Sequence, residues 1–399
     1  MKPGKGSVKV GDQLTVDISK IVPRGLGLGF AEGSTVFVPL AAAGDRLLVR
    51  VREMKGNAAF AEIEEVIAPS ERRIEPPCPY FGTCGGCDFQ QMDYAAQVDA
   101  KVGIIRDCLH RIGKIDYTGE FEVIASPLEF GYRTRAQWHA DVNKQEIGYY
   151  RRLSHDVVDV DHCPIASPEL NETLKELRGT IEWGTIWGNR IAIDVANGDE
   201  GDVSIYSSEL TVPTSEITTS VAGERFNYTA RNFFQGNRSV VEQLVAAAID
   251  GASGDTAVDL YSGVGLFSLP LARRFKSLAA VEENPAAVDF AERNARRAGL
   301  ANISHVRGKV DRFVKEEPAG TTDFLLLDPP RAGGSKETVL NITRLAAPRI
   351  AYVSCEPSTL ARDLRWMLDA GYRIDRITAV DMFPQTHHVE TVVRLTRVD

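Results

Sequence analysis

The chain has 399 residues, 43% hydrophobic and 25% charged, with a formal net charge of −9. That length predicts two or three domains, each able to bury a core. No apolar run is long enough to span a bilayer, which excludes an integral helical membrane protein and makes the cytoplasm the expected location. The negative balance excludes indiscriminate binding of polyanions, because phosphate contact relies on clustered Lys and Arg, so any nucleic-acid site must be a local patch.

Residues 1–66 alternate like short strands at Gln13–Ile18, Thr35–Leu40, Arg46–Val51 and Ala59–Ile63, with the glycines of Gly25-Leu-Gly-Leu-Gly29 as punctuation between them. Short strands at this spacing predict a small closed barrel of OB-like type, a shape that often grips single-stranded nucleic acid. Residues 67–240 begin with Pro76-Pro-Cys78, continue into a helix over 94–112 and then become irregular and strand-rich, a mixed α+β region. Two clusters there, Tyr132–Trp138 and Tyr149–His155, interleave arginine with aromatics, the pairing that suits phosphate contact plus base stacking.

From 241 to 399 strands and helices alternate. Helix 240–248 precedes strand 257–260; strand 278–282, helix 285–298, strand 303–306, strand 323–328, strand 350–354 and helix 360–370 follow. Two final strands lie around 373–380 and 391–395. This order predicts an α/β, doubly wound sheet with helices on both faces, closed by an antiparallel edge pair.

Ligands bind at the carboxyl ends of strands in such sheets, and four strand ends here carry chemistry. The first runs into the turn Tyr261-Ser-Gly-Val-Gly265, whose glycines let a nucleotide-like ligand approach the backbone; Tyr261 can form an aromatic wall. The second ends at Glu282, an acid placed to take both hydroxyls of a ribose. The third ends at Asp328-Pro-Pro-Arg331. The fourth delivers the thiol of Cys355 just before the helix that opens at Pro357, whose dipole end favours a thiolate. The loop His387-His-Val-Glu390 supplies candidate bases, with Glu390 preferred.

Six cysteines in a chain of this size fit metal binding and catalysis better than a disulfide framework. Cys78, Cys84 and Cys87 form C-x5-C-x2-C, and Cys163 offers a fourth thiol beside His162. Thiolates at this spacing fold around one ion or cluster; spacing alone leaves zinc and iron–sulfur both open. Cys108, on a predicted helix, is a core thiol.

Together, the Tyr261–Gly265 turn, Asp328-Pro-Pro-Arg-Ala-Gly333, Ser354-Cys-Glu-Pro-Ser-Thr-Leu-Ala-Arg-Asp363 and the 385–390 segment resemble the RNA (uracil-5)-methyltransferases. Residues 8–66 look like the TRAM domain of the ribosomal-RNA branch, and the cysteine pattern looks like that branch's iron–sulfur site. The resemblance implies a class I methyltransferase sheet, Cys355 as nucleophile and Glu390 as proton acceptor. It further implies S-adenosylmethionine contacts at Gln235, Tyr261, Glu282 and Asp328, and a [4Fe-4S] cluster on Cys78, Cys84, Cys87 and Cys163. Leu266 stands where some members carry a polar cofactor contact, and Gly308-Lys-Val-Asp311 replaces a more usual acidic run. The implied partner is RNA, 23S ribosomal RNA first and the T-loop of tRNA as the alternative. No membrane or obligate protein partner is implied. A non-enzymatic, metal-stabilised RNA-binding protein is the remote alternative, and an amino-directed methyltransferase, suggested by Asp328-Pro-Pro, would need no cysteine.

Overall fold

The computed structural model describes residues 8–398. Its first five strands are β1 (Gln13–Val22), β2 (Leu26–Ala31), β3 (Ser34–Pro39), β4 (Arg46–Lys55) and β5 (Ala58–Ala68). They close a barrel in the order β1-β2-β3-β5-β4. Alternate residues such as Leu14, Val16, Val36, Val38, Leu47 and Val49 fill its interior, as a period-two pattern requires. Of the glycines of 25–29, Gly25 punctuates as expected, in the turn between β1 and β2 with φ +69°, whereas Gly27 and Gly29 lie within β2. A side chain at Gly29 would come within 2.2 Å of Val16, and one at Gly27 within 2.7 Å of Ala41. These glycines mark close approach inside a strand rather than a turn.

The next segment contributes helix α1 (Tyr94–Arg111), β6 (Phe121–Ile124), β7 (Arg135–Asp141), β8 (Glu146–Tyr150), β9 (Val157–Asp159), α2 (Pro168–Thr180), β10 (Arg190–Asn197), β11 (Val203–Tyr206) and the hairpin β12 (Ile217–Val221) and β13 (Glu224–Tyr228). Five of these strands form a sheet in the order β11-β10-β7-β8-β9. Leu170, Leu174 and Leu177, at helical spacing on α2, bury against Trp138, Ile191 and Ile193 of that sheet.

The remaining chain runs α3 (Arg238–Ile249), β14 (Gly254–Leu260), α4 (Ser268–Ala272), β15 (Phe275–Glu282), α5 (Pro285–Arg297), β16 (Ile303–Arg307), α6 (Val310–Glu316), β17 (Phe324–Leu327), α7 (Lys336–Arg344), β18 (Arg349–Ser354), α8 (Pro357–Asp369), β19 (Tyr372–Val380) and β20 (Glu390–Arg397). Its sheet has eight strands in the order β16-β15-β14-β17-β18-β20-β19-β6. Strands β14 to β18 pair in parallel, and β20 runs antiparallel to both β18 and β19. Because both faces are covered, central strands such as Phe324-Leu-Leu-Leu327 are apolar throughout. One core packs α1, α6, α7 and α8 against the sheet, and the other packs α3, α4 and α5.

The antiparallel pair does not form the sheet edge, contrary to expectation, because β6 adds in parallel to β19 and takes that place. Its four residues, Phe-Glu-Val-Ile, lie about 250 positions before their partners Ile377–Val380, so nothing local in the sequence signals the pairing. Among the described residues no helix is long and apolar enough to cross a membrane.

Candidate active site and cysteine site

The parallel ladder aligns four strand ends. Leu260 is in register with Val281 and with Leu327, and Leu327 with Tyr352. Tyr261, Glu282, Asp328 and Cys355 therefore emerge along one edge. Ser354 pairs with Thr391 on the antiparallel side, so one step further the ladder brings Cys355 alongside Glu390. A thiol and a carboxyl from two different strands are brought together by register.

The turn after β14 is built by unusual backbone. Tyr261 has φ +65°, Gly263 +54° and Gly265 +98°; the left-handed region costs a glycine little and a tyrosine more. The Gly263 amide donates to one Glu282 carboxylate oxygen at 3.0 Å, and the Asn284 amide to the other at 2.7 Å. Glu282 thus braces the glycine turn while each oxygen keeps acceptor capacity for a ligand. Gln235, in the loop before α3, is 3% exposed and its side-chain oxygen has no partner. That loop is pinned to β7, where the Thr134 amide donates to the Gly236 carbonyl at 2.9 Å and Arg135 Nη2 to the Ala230 carbonyl at 2.9 Å. A buried acceptor without a donor is costly, and a bound nucleoside would relieve it.

Electrostatics at Cys355 oppose the expectation of a ready thiolate. Burial, with the Glu390 and Asp328 charges adding to it, pushes the thiol up to about 12, against the pull of Arg331. The helix after it is also capped by an acid: the Glu356 carboxylate accepts from the Ser358 hydroxyl at 2.6 Å and from its amide at 3.3 Å, offsetting the dipole. Burial raises Glu390 to about 7, again against Arg331. Asp328 is held well above the usual carboxylate range by burial and by Glu390. One Glu390 oxygen has no hydrogen-bond partner. His388, by contrast, is pushed down to about 2 by burial and by the neighbouring His387 and Arg331, which leaves it a weak base. Arg331, which the sequence marks only as the end of the Asp-Pro-Pro-Arg run, is the cation whose charge acts on both Cys355 and Glu390.

The second site lies between the loop before α1 and the segment that joins β9 to α2. Cys78, Cys84, Cys87 and Cys163 line one cavity, together with Arg133 and Tyr149. Backbone bonds to the β8–β9 hairpin shape the loop: Gly85 N–H to Tyr150 O and Arg152 N–H to Thr83 O, both 2.9 Å. The Gly86 amide donates to Cys84 Sγ at 3.4 Å. Burial pushes Cys84 up to about 11 and Cys87 higher still, and the neighbouring thiols raise both further. Four deprotonated sulfurs here would need a compensating cation. Among the described residues, no three His, Cys, Asp or Glu side chains close on a single-ion site. The four thiols thus share one cavity without closing on a metal-binding group. His162 is exposed and does not line that cavity. Cys108 is buried in the core beside α8, as its place on a helix leads one to expect.

Between the two sites lies an open cleft lined by Arg24, Arg151, Arg152, Arg331, His139 and His388 among others. The second arginine–aromatic cluster reaches it, since Tyr150 stacks on His139 with centroids 3.6 Å apart and Leu153 at the hairpin tip is 93% exposed. The aromatics of the first cluster turn inward instead, although its Arg133 and Gln137 line the cleft. Tyr132 donates to the Pro384 carbonyl at 2.9 Å, and Trp138, 1% exposed, donates to the Tyr149 hydroxyl at 3.2 Å. Strand alternation sends Trp138 into the core and leaves its neighbours Gln137 and His139 on the cleft.

Residues 214–398 match the tRNA (Uracil-5-)-methyltransferase family. The chain is 31% identical to the Pectobacterium atrosepticum 23S rRNA (uracil(1939)-C(5))-methyltransferase RlmD, over 95% of this chain and 92% of that protein. It is 32% identical to the Enterobacter protein of the same name, covering 95% of each. The Pyrococcus abyssi tRNA (uracil-54, C5)-methyltransferase, solved with S-adenosyl-L-homocysteine, is 26% identical with a TM-score of 0.75, over 96% of this chain and 100% of that one. A doubly wound sheet with a glycine turn and an acidic second strand end defines an α/β methyltransferase. Within that class, the chain belongs to the RNA (uracil-5)-methyltransferase family.

Proposed function

We propose that this enzyme transfers a methyl group from S-adenosylmethionine to carbon 5 of a uridine in large-subunit ribosomal RNA, through a covalent bond to Cys355. The observation that carries the reading is the meeting of a buried thiol with a buried carboxyl raised to about 7, beside a glycine turn braced by Glu282.

Carbon 5 of uracil is too weak a nucleophile to attack a methyl group unaided. Cys355 releases its proton to solvent as the base seats, and its sulfur adds to carbon 6, moving the ring π electrons into an enolate. The cofactor, when bound, supplies an electrophilic sulfonium methyl. Gln235, Tyr261, Glu282 and Asp328 are the residues that would hold it. Carbon 5 then carries both a methyl and a proton. Glu390 takes the proton, the C–H electrons restore the C5–C6 double bond, and the sulfur leaves as thiolate. A carboxyl near 7 is ionised for a useful fraction of time yet basic enough for this step, whereas His388 at about 2 is not.

Cys78, Cys84, Cys87 and Cys163 would hold a [4Fe-4S] cluster with a structural or RNA-positioning role, since methyl transfer moves no net electrons. The barrel, read as TRAM-like, and the basic cleft would grip RNA with the target base splayed out. Ribosomal RNA is preferred because the RlmD proteins match over nearly the whole chain. The T-loop uridine of tRNA is the second reading, supported by the Pyrococcus structure.

The test is Glu390→Gln. Addition and methyl transfer proceed, proton removal is crippled, and a methyl-labelled protein–RNA adduct accumulates that survives denaturing electrophoresis and is absent when Cys355→Ala is added. Turnover at the wild-type rate without adduct would sink the assignment of Glu390, and an adduct that persists without Cys355 would sink the nucleophile.

A further inference from the structure

We propose that Asp88 is a positioning residue for the proton-abstraction step, tying the cysteine loop to the segment that carries Glu390. The inference rests on the covalent reading above and adds a residue to it.

Asp88 follows Cys87 directly. One of its oxygens accepts from the His387 amide at 2.7 Å, and the other faces His387 Nδ1 at 2.5 Å. The backbone amides of Asp88 and Phe89 both donate to the Gln385 carbonyl, at 3.1 and 3.0 Å. Gln385 is left-handed, with φ +69°. Such a conformation is strained for a side chain of this kind and persists only where its surroundings over-determine it. They do so here. The Gln385 amide donates to Gln97 Oε1 at 2.9 Å, and Gln97 Nε2 donates back to Gln385 Oε1 at 3.0 Å. Lys101 holds Asp381 at 2.5 Å and the Phe383 carbonyl at 2.9 Å, and Tyr132 holds the Pro384 carbonyl.

These anchors of 381–387 all come from residues 88–132, outside the segment's own strands. Asp88 grips the position closest to Glu390, three residues away, and it alone among them adjoins a cysteine of the second site. From His387 the geometry continues towards the reacting groups. Its ring lies 4.1 Å from that of His388, whose Nε2 is 3.5 Å from Arg331 Nη2, the guanidinium that faces Cys355 and Glu390. The barrel closes the far side. A side chain at Gly25 would come within 3.1 Å of His387 Cβ and 3.3 Å of Asp88 Cγ. Barrel, cysteine loop and the segment carrying Glu390 therefore meet at the Asp88–His387 contact, which packs closely on Gly25.

Loosening that contact leaves Cys355 and the cofactor-facing turn untouched, since both stand on other strands. What suffers is the last step, when Glu390 must reach the carbon 5 proton. The test compares Asp88→Ala with Asp88→Asn, which keeps a side-chain oxygen for the His387 amide. Asp88→Ala is expected to lose about 10-fold to 100-fold in kcat, the cost of a small misplacement of a reacting group. Methyl-labelled adduct should accumulate, affinity for S-adenosylhomocysteine should stay unchanged, and amide hydrogen exchange over 385–390 should accelerate. Asp88→Asn should recover most of the rate. Wild-type turnover by Asp88→Ala, or a slow variant with no adduct and unchanged exchange, overturns the inference. Should Glu390→Gln itself turn over without adduct, the assignment of Glu390 as the base fails instead. Exchange over 385–390, with its recovery in Asp88→Asn, then decides alone whether Asp88 holds the segment.

Discussion

Replacing Glu390 by Gln should stabilise the ligand-free protein at alkaline pH and leave its stability near pH 4.5 almost unchanged relative to that gain. Burial raises the Glu390 carboxyl from 4.5 to about 7. A carboxyl raised on folding favours the folded state while it is protonated, and that contribution is lost as pH climbs from its unfolded value through about 7. Every tenfold difference in proton affinity between the folded and unfolded chain is worth about 1.4 kcal/mol, so the wild type forfeits on the order of 3 kcal/mol between about pH 4.5 and 8 that the neutral amide keeps. Asp328, held up partly by the Glu390 charge, relaxes in the same variant and adds with the same sign. Unfolding entropy of about 2.1 cal/mol/K per residue turns 3 kcal/mol into roughly 4 °C for a chain of this length. Thermal melts of the two proteins at pH 5, 6, 7 and 8.5 should show a gap in Tm that opens with pH. A constant gap, or one that closes as pH rises, would refute the claim that a buried charge is held at this site.

Three further outcomes follow from the other sites. Gln235→Ala should weaken S-adenosylhomocysteine binding, measured calorimetrically, by about 1–3 kcal/mol, as expected for removing a buried hydrogen-bond acceptor, with RNA affinity unchanged. Anaerobically purified Cys84→Ser should contain less iron and sulfide than the wild type and lose the visible absorbance of an iron–sulfur protein; stoichiometric zinc without sulfide in the wild type would contradict the cluster. The pair Arg24→Ala and Arg151→Ala should reduce RNA affinity and lower the slope of log affinity against log salt by roughly one unit per lost phosphate contact, while leaving cofactor affinity unaffected. An unchanged slope would remove these two arginines from the RNA path.

Much of this architecture is legible in one dimension because its causes are local. The strands of the large sheet are apolar runs bounded by turn signals, and α5 opens on Asn284-Pro285, with the Asn284 carboxamide accepting from the Ala286 and Ala287 amides. The chemistry is legible for the same reason. Tyr261, Glu282, Asp328 and Cys355 each close an apolar run, and a parallel sheet sends strand ends to one edge. What the sequence hides is non-local or ambivalent. β2 reads as a turn because its glycines answer to Val16 and Ala41, which a local window does not see. β6 is four residues long and owes its place to the open side of β19. Trp138 and Tyr132 read as RNA-facing until alternation and the Pro384 carbonyl assign them inward.

The charges at the catalytic edge are the least legible part, and the reason is general. A helix start beside a cysteine speaks for a thiolate only if the helix end is uncapped and the neighbourhood is not acidic; here Glu356 caps it, and Glu390 and Asp328 face the sulfur. The resting edge therefore holds a thiol that resists ionisation and two carboxyls that keep their protons late. Arg331 alone pulls both Cys355 and Glu390 towards their charged forms. It is tied in turn to the body of the protein: its carbonyl accepts from the Thr359 hydroxyl at 3.0 Å, and its guanidinium reaches His388. Such an arrangement keeps the Cys355 thiol protonated while the site is empty. A thiolate beside a carboxylate is costly in a buried site, so both charges become favourable together only when further positive charge or hydrogen-bond donors enter with the substrates. Under the covalent reading proposed above, the same burial would make the reactivity of Cys355 conditional on occupancy of the site.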